Sequence, residues 1–246
     1  MQKLIRQAIK TSVYKKIRKE QAVQFRHELK HEITTQDMIT IRQRLRAVAT
    51  CDPHAVDGKY LIRSLYFDTP ENKALLEKQS GVSRRQKFRI RYYNKDKSVI
   101  HLEKKSKVGG LGTKISANLT EKQADSIVRG DISWMRDSEN DLIRELYSRM
   151  ISERLQPKTI VDYTREPFIY APGNVRVTLD YNIRTGMQNI DFLDTECIMV
   201  PAAFGICIME VKWDNFLPDI IRDCVQLKGT KTGSFSKYEA CRQPMI

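Results

Sequence analysis

Cysteine, histidine and long apolar runs are scarce in this chain. Its five cysteines (Cys51, Cys197, Cys207, Cys224 and Cys241) are widely spaced, odd in number and without a C-x-x-C pair. That argues against a disulfide framework or a zinc knuckle and for a reducing cytoplasm. The thiols are expected to be buried and inert. The four histidines, His27, His31, His54 and His101, show no ligand spacing on a helix. The longest uncharged stretch, Cys197 to Met209, contains Pro201 and is too short to span a bilayer. Residues 1–25 are basic and amphipathic with no apolar segment, so no signal peptide is expected. A soluble protein follows. No G-x-x-x-x-G-K-[ST] loop, no Ser-His-Asp set, no internal repeat and no low-complexity tract is present.

Acidic residues are also outnumbered. Lys and Arg total 43 against 30 Asp and Glu, a formal charge of +13. The excess favours polyanions: nucleic acid, phosphate chains, nucleotides or an anionic membrane surface. With 246 residues, 41% of them apolar, a packed core in one large domain is within reach.

Residues 1–24 suit a basic amphipathic helix that packs on the domain, lies on a membrane or meets a partner protein. FRHELKHEI (25–33) reads as a first strand. TTQD (34–37) is a capping box opening a helix to about Ala49. Strands follow at 60–69, 87–94 and 98–106, with a short helical piece near Glu71 to Lys78 between the first two. KVGGLGTK (107–114) is a glycine-rich turn that leads into another short strand. TEKQ (120–123) caps a helix near 121–130, and another covers 139–154. Strands resume at 159–170, 174–183 and 204–213, then helices at 218–227 and 234–242. Short turns join the strands and regular βαβ alternation is missing, so the class is α+β with mostly antiparallel strands.

KFRIRYYN (87–94) places Phe88, Ile90 and Tyr92 on one face and Arg89 and Arg91 on the other. Four more strands carry a charged face: Glu28, Lys30 and Glu32; His101, Glu103 and Lys105; Arg176 with Asp180; Glu210 and Lys212. An ordinary sandwich would wet these faces. If the helices cover the apolar faces instead, the charged faces line the inside. The expected architecture is then a closed antiparallel β-barrel, a tunnel with a polar, basic lumen and helices packed outside. Its charges would repel one another unless an anion with its metal filled it. The facing of Arg63 stays open, as does the choice between core packing and base stacking for Tyr66 and Tyr93. Trp134 and Trp213 read as core or rim residues.

ELKHEI, RSLYFDT, FRIRYYN, LEKKSK with GTK downstream, YTREPF, VRVTLD, MEVKW and SFSKYE occur in this order from about residue 25 to 242. The series resembles the VTC-type polyphosphate polymerase domain of the triphosphate tunnel metalloenzymes. The resemblance implies one such domain over 25–246, preceded by the helix at 1–24. It implies phosphate-binding roles for Lys30, Arg89, Arg91, Lys105, Lys114, Arg165, Arg176, Ser236 and Lys237. Of these, Lys30, Arg89, Arg91, Lys105, Arg176 and Lys237 would also serve the reaction. Glu210 would hold Mg²⁺ or Mn²⁺; Glu28 and Glu103 are not assigned. The implied activity transfers the γ-phosphate of ATP to a growing polyphosphate chain in the cytoplasm. A tripolyphosphatase or nucleoside triphosphatase of the same fold is the alternative. Net charge alone would also suit a non-catalytic polyanion binder. Specific nucleic acid recognition is not implied. Contact with a membrane or partner protein would run through residues 1–24.

Overall fold

Alternating residues that suit one wet and one dry face build most of the secondary structure. The computed structural model describes residues 26–108, 111–227, 233 and 235–242, so the helix expected at 1–24 lies outside the described residues. In chain order the elements are β1 (His27–Ile33), α1 (Thr35–Val48), β2 (Thr50–Cys51), β3 (Tyr60–Asp68), α2 (Lys73–Gln79), β4 (Arg84–Tyr93), β5 (Asp96–Val108) and β6 (Leu111–Leu119). Then come α3 (Glu121–Arg129), α4 (Asp141–Ser152), β7 (Gln156–Tyr170), β8 (Val175–Thr185), β9 (Val200–Pro201), β10 (Cys207–Trp213), α5 (Asp219–Val225) and α6 (Lys237–Ala240). Both expected capping boxes form. The Thr34 hydroxyl accepts from the Asp37 N–H at 3.1 Å, and the Asp37 carboxylate accepts from the Thr34 N–H. Thr120 and Gln123 repeat the exchange at α3. Each box satisfies helix-end donors that would otherwise lack partners.

The strands form one antiparallel sheet in the order β1-β10-β8-β7-β3-β4-β5-β6, with β2 added on β7 and β9 on β8. Its convex face is apolar and covered by helices. α3 and α4 pack on Leu65, Phe67, Ile90 and Leu102 through Ile127 and Leu146. α1 and α5 pack on Val177, Leu179 and Met209 through Ile41, Leu45 and Ile221. Burying each such side chain contributes about 1.5–3 kcal/mol. Arg63 also points to this side, where its guanidinium binds Asp162 at 2.8 Å.

Two expectations need correction. The barrel does not close: among the described residues β1 and β6 end the sheet and do not pair with each other. A closing strand would need the free edge of β1, and there the Lys30 carbonyl accepts from the Gly233 N–H at 3.0 Å. The second correction is that the concave face is not basic throughout. Ile62, Val161, Ile183 and Ile208 line one end of it and pack against Tyr238 and Cys241 at the α6 end of the chain. A bulge contributes to this. The β7–β8 register shifts between Asp162 and Thr164, and Asn182 takes a φ of 53°. The shift inverts the alternation of β8, so Ile183 joins the face that carries Asp180. Among the thiols, Cys51 is exposed rather than buried. No helix among the described residues is long and apolar enough to cross a membrane.

The two faces of the sheet should differ in their sensitivity to truncation. Ile90→Ala, fully buried under the helices, is expected to cost about 2–5 kcal/mol. Ile115→Ala on edge strand β6, where the side chain is half exposed, should stay within about 0.5 kcal/mol. Urea unfolding of both variants measures the difference.

Candidate functional site

The polar part of the concave face is built from pairs of opposite charge set directly across from each other on neighbouring strands. Arg89 of β4 faces Glu103 of β5, and Arg165 of β7 faces Asp180 of β8. Between β1 and β10, Lys30 faces Glu210 and Glu28 faces Lys212. Such cross-strand partners have adjacent Cβ atoms, so short salt bridges follow from register alone. The Arg89 Nε lies 2.7 Å from Glu103. Arg165 grips both oxygens of Asp180 as a fork, at 2.6 and 2.7 Å. Lys30 Nζ is 3.2 Å from Glu210.

Further contacts tie the pairs together. Glu103 also receives Lys114 at 3.1 Å and has Arg91 at 3.9 Å. Arg91 is fixed by the Ser64 hydroxyl at 2.9 Å and the Tyr163 hydroxyl at 3.1 Å. Asp180 receives Lys237 from α6 at 2.6 Å. Arg165 reaches Glu210 at 3.6 Å. Lys105 of β5 meets Glu28 of β1 at 3.6 Å. This last contact joins strands from opposite ends of the sheet order, so side chains span the groove that the backbone leaves open.

Asp180 is 0%, Glu103 3% and Glu210 6% exposed, depths at which an unpaired carboxylate would take up a proton. Burial does push all three upward, and the surrounding cations outweigh it. Arg165 and Lys237 bring Asp180 down to about 2. Arg89, Arg91 and Lys114 hold Glu103 well below the usual carboxylate range. Lys30 and Lys212 do the same for Glu210. Burial raises the Tyr66 phenol, but Arg89 and Arg91 overcome it and lower the group to about 8. The groove's three buried carboxylates are therefore held ionised and in place before any ligand arrives, and its cationic side chains outnumber its carboxylates.

Of the residues expected at the site, Lys30, Arg89, Arg91, Lys105, Lys114, Arg165, Glu210, Ser236 and Lys237 share this groove. Arg176 lies directly across from Lys212 but does not join the central salt-bridge network, pairing instead with Asp52 at 3.4 Å. Glu28, Glu103, Asp180, Lys212 and Tyr66 belong to the groove, although the sequence reading gave them no assigned role. For the four charged residues the signal was the strand face they share with assigned residues; Tyr66 lies on β3, which carries no assigned residue. Tyr66 stacks on Tyr238 with ring centres 5.1 Å apart and accepts from Arg89 at 2.8 Å, which makes it part of the groove wall. Among the described residues no group of three or more His, Cys, Asp or Glu side chains could hold a metal ion alone. Glu210 and Glu28 jointly hold the ammonium groups of Lys30 and Lys212. Their hard oxygens fit Mg²⁺ or Mn²⁺ when phosphate oxygens and water complete the shell.

A curled antiparallel sheet with helices outside and a braced, basic concave face defines a protein built around an anion groove. A family profile described as the VTC domain matches residues 25–246. The chain belongs to the VTC domain family. Among solved structures it is similar to a proposed adenylate cyclase of Bacillus halodurans, at 15% identity and a TM-score of 0.48, covering 77% of this chain and 80% of that one. A proposed adenylate cyclase of Vibrio parahaemolyticus aligns at 14% identity and a TM-score of 0.41, covering 82% and 83%. The PH1819 protein of Pyrococcus horikoshii aligns at 14% identity and a TM-score of 0.38, covering 81% and 84%. No curated protein matches the chain.

The brace at Asp180 should be visible in acid. Its folded-state pKa lies below the ordinary 3.8, at about 2, so its contribution is complete above pH 3.8 and disappears as pH falls through about 2. Asp180→Asn leaves Arg165 and Lys237 without their shared partner. It is expected to cost about 3–5 kcal/mol at neutral pH. The gap from wild type should narrow on acidification across that window, as followed by denaturant unfolding at a series of pH values.

Proposed function

We propose that the groove binds the triphosphate of ATP together with a divalent metal and transfers the γ-phosphoryl group to a growing polyphosphate chain. The observation that carries this reading is the set of guanidinium and ammonium groups fixed on one concave face by buried carboxylates. Guanidinium forks match phosphate oxygens two at a time, and ammonium groups add point charge. Phosphoryl transfer asks for in-line positioning and charge stabilisation more than for a covalent intermediate. Membership of the VTC domain family over residues 25–246 supports the same reading.

In this reading Arg89, Arg91 and Arg165 hold the triphosphate, and Lys237, Lys30 and Lys212 surround the group in transfer. An oxygen of the terminal chain phosphate attacks the γ-phosphorus. The bond from the γ-phosphorus to the β–γ bridging oxygen breaks, and ADP leaves with the electron pair. Arg165 and Lys237 bear on the charge that builds on the transferred group, and their positions are set by Asp180. Glu210 and Glu28 would hold Mg²⁺ or Mn²⁺, which when bound would further neutralise the phosphate oxygens. Arg176, paired with Asp52, lies outside this set and is assigned to holding phosphate near the groove's edge.

Incubation of the protein with ATP and Mn²⁺ tests the reading, with gel analysis for phosphate chains and a colorimetric assay for free phosphate. Long chains with ADP are the expected products. Free phosphate without chains would assign the groove to hydrolysis, with water as the acceptor. Glu210→Gln should lower turnover by about 10²-fold or more. Arg89→Ala should weaken triphosphate binding by about 10- to 100-fold, measured by calorimetry.

A further inference from the structure

One row of the concave face departs from the pairing of opposite charges. Lys87 of β4 stands directly across from Lys105 of β5, and Lys105 directly across from Lys114 of β6. By strand alternation all three share the face of Arg89 and Glu103. Like charges placed directly opposite each other destabilise an antiparallel pair. Two of the three take a carboxylate from another row: Lys105 meets Glu28 at 3.6 Å and Lys114 meets Glu103 at 3.1 Å.

Lys87 has no such relief. Among the described residues no carboxylate lies within ion-pair distance of it. Its ammonium donates to the Ser236 hydroxyl at 3.3 Å and sits 5.2 Å from the centre of the Tyr238 ring. The other charged or titratable groups near it are Tyr66 on β3, Lys78 on α2, Arg85 on β4 and Glu239 on α6. Glu239 lies 3.5 Å from Lys78. Burial pulls the Lys87 ammonium down to about 8; Lys78 and Arg85 add to the effect, and Tyr66 and Glu239 oppose it. A partly buried cation with a hydroxyl, an aromatic face and no carboxylate partner is a place prepared for an anion from outside.

We propose that Lys87 extends Lys105, Lys114 and Ser236, for which the family resemblance already implies phosphate binding, into a second anion subsite that holds a polyphosphate chain beyond the triphosphate gripped by Arg89, Arg91 and Arg165. This rests on the groove being a triphosphate or polyphosphate site. Neighbouring strands lie about 4.8 Å apart, so the row spans roughly 10 Å across three strands, and it is displaced about 7 Å along β4 from the Arg89 row. A triphosphate anchored on the three arginines leaves Lys87 without a counter-ion, and Lys105 and Lys114 with one carboxylate each. A chain with a charge on every phosphate supplies the missing one.

Calorimetric titration of the full chain with tripolyphosphate and, separately, with long-chain polyphosphate tests the proposal. Lys87→Gln is expected to lose about tenfold in affinity for the long chain and to stay within about twofold for tripolyphosphate. The salt dependence of long-chain binding should become shallower by about one counter-ion. Lys87→Arg, which keeps the charge, should restore the long-chain affinity and so separates anion binding from a packing effect. Equal losses for both ligands, or no loss for either, would overturn the subsite while wild-type binding of tripolyphosphate left the groove reading standing. A wild-type protein that bound neither ligand would overturn both.

Discussion

Burying charges in a protein groove is costly unless opposite partners lie close by, and for most of the groove that constraint is met by strand register. Moving an ion out of water costs several kcal/mol, which Coulomb attraction repays only at short distance and good geometry. Antiparallel pairing provides that geometry through the backbone. Arg89 and Glu103 are neighbours because β4 and β5 hold them opposite, and the same is true of Arg165 with Asp180 and of Lys30 with Glu210. A slip of one residue in any of these ladders would send the charges under the helices and the aliphatic side chains into the groove. The apolar convex core and the ionic concave face therefore enforce the same register from opposite sides.

The arrangement also explains how a groove this basic can exist without its ligand. Three buried carboxylates of the groove each serve more than one cation: Glu103 serves Arg89 and Lys114, Asp180 serves Arg165 and Lys237, and Glu210 serves Lys30 and Lys212. The remaining positive excess is what an incoming polyanion would find. Because the side chains already have fixed partners, little rotamer freedom remains to be lost on binding.

Much of this was legible in the sequence at the level of a single strand. Period-two alternation in KFRIRYYN put Arg89 and Arg91 opposite Phe88, Ile90 and Tyr92, and the helices do cover that apolar face. Both capping boxes sit where TTQD and TEKQ place them. Alternation does not contain the register between strands distant in the chain. Lys30 and Glu210 belong to opposite ends of the sequence, so nothing local announces that they meet. The bulge at Asn182 is likewise invisible to a pattern that assumes strict alternation, and it is what places Ile183 on the concave side. The open sheet was missed for a related reason. Charged faces imply a concave surface, whereas closure depends on which backbone groups occupy the edge of β1, and Gly233 takes one of them.

Carboxylates that fill an anion groove would seem to compete with the anion, and donor counting shows why they need not. A guanidinium has five N–H donors arranged around a plane, and an ammonium has three. Arg165 commits Nε and Nη2 to Asp180, which leaves the donors of Nη1 for a ligand. Lys237 gives one donor to Asp180 and retains two. The bracing bonds and the ligand bonds can therefore coexist on the same cation, and a phosphate oxygen can bind without displacing the carboxylate that positions its partner. Removing such a carboxylate would free donors yet lower binding, because the cation it had held would lose both its orientation and the partner that keeps it buried.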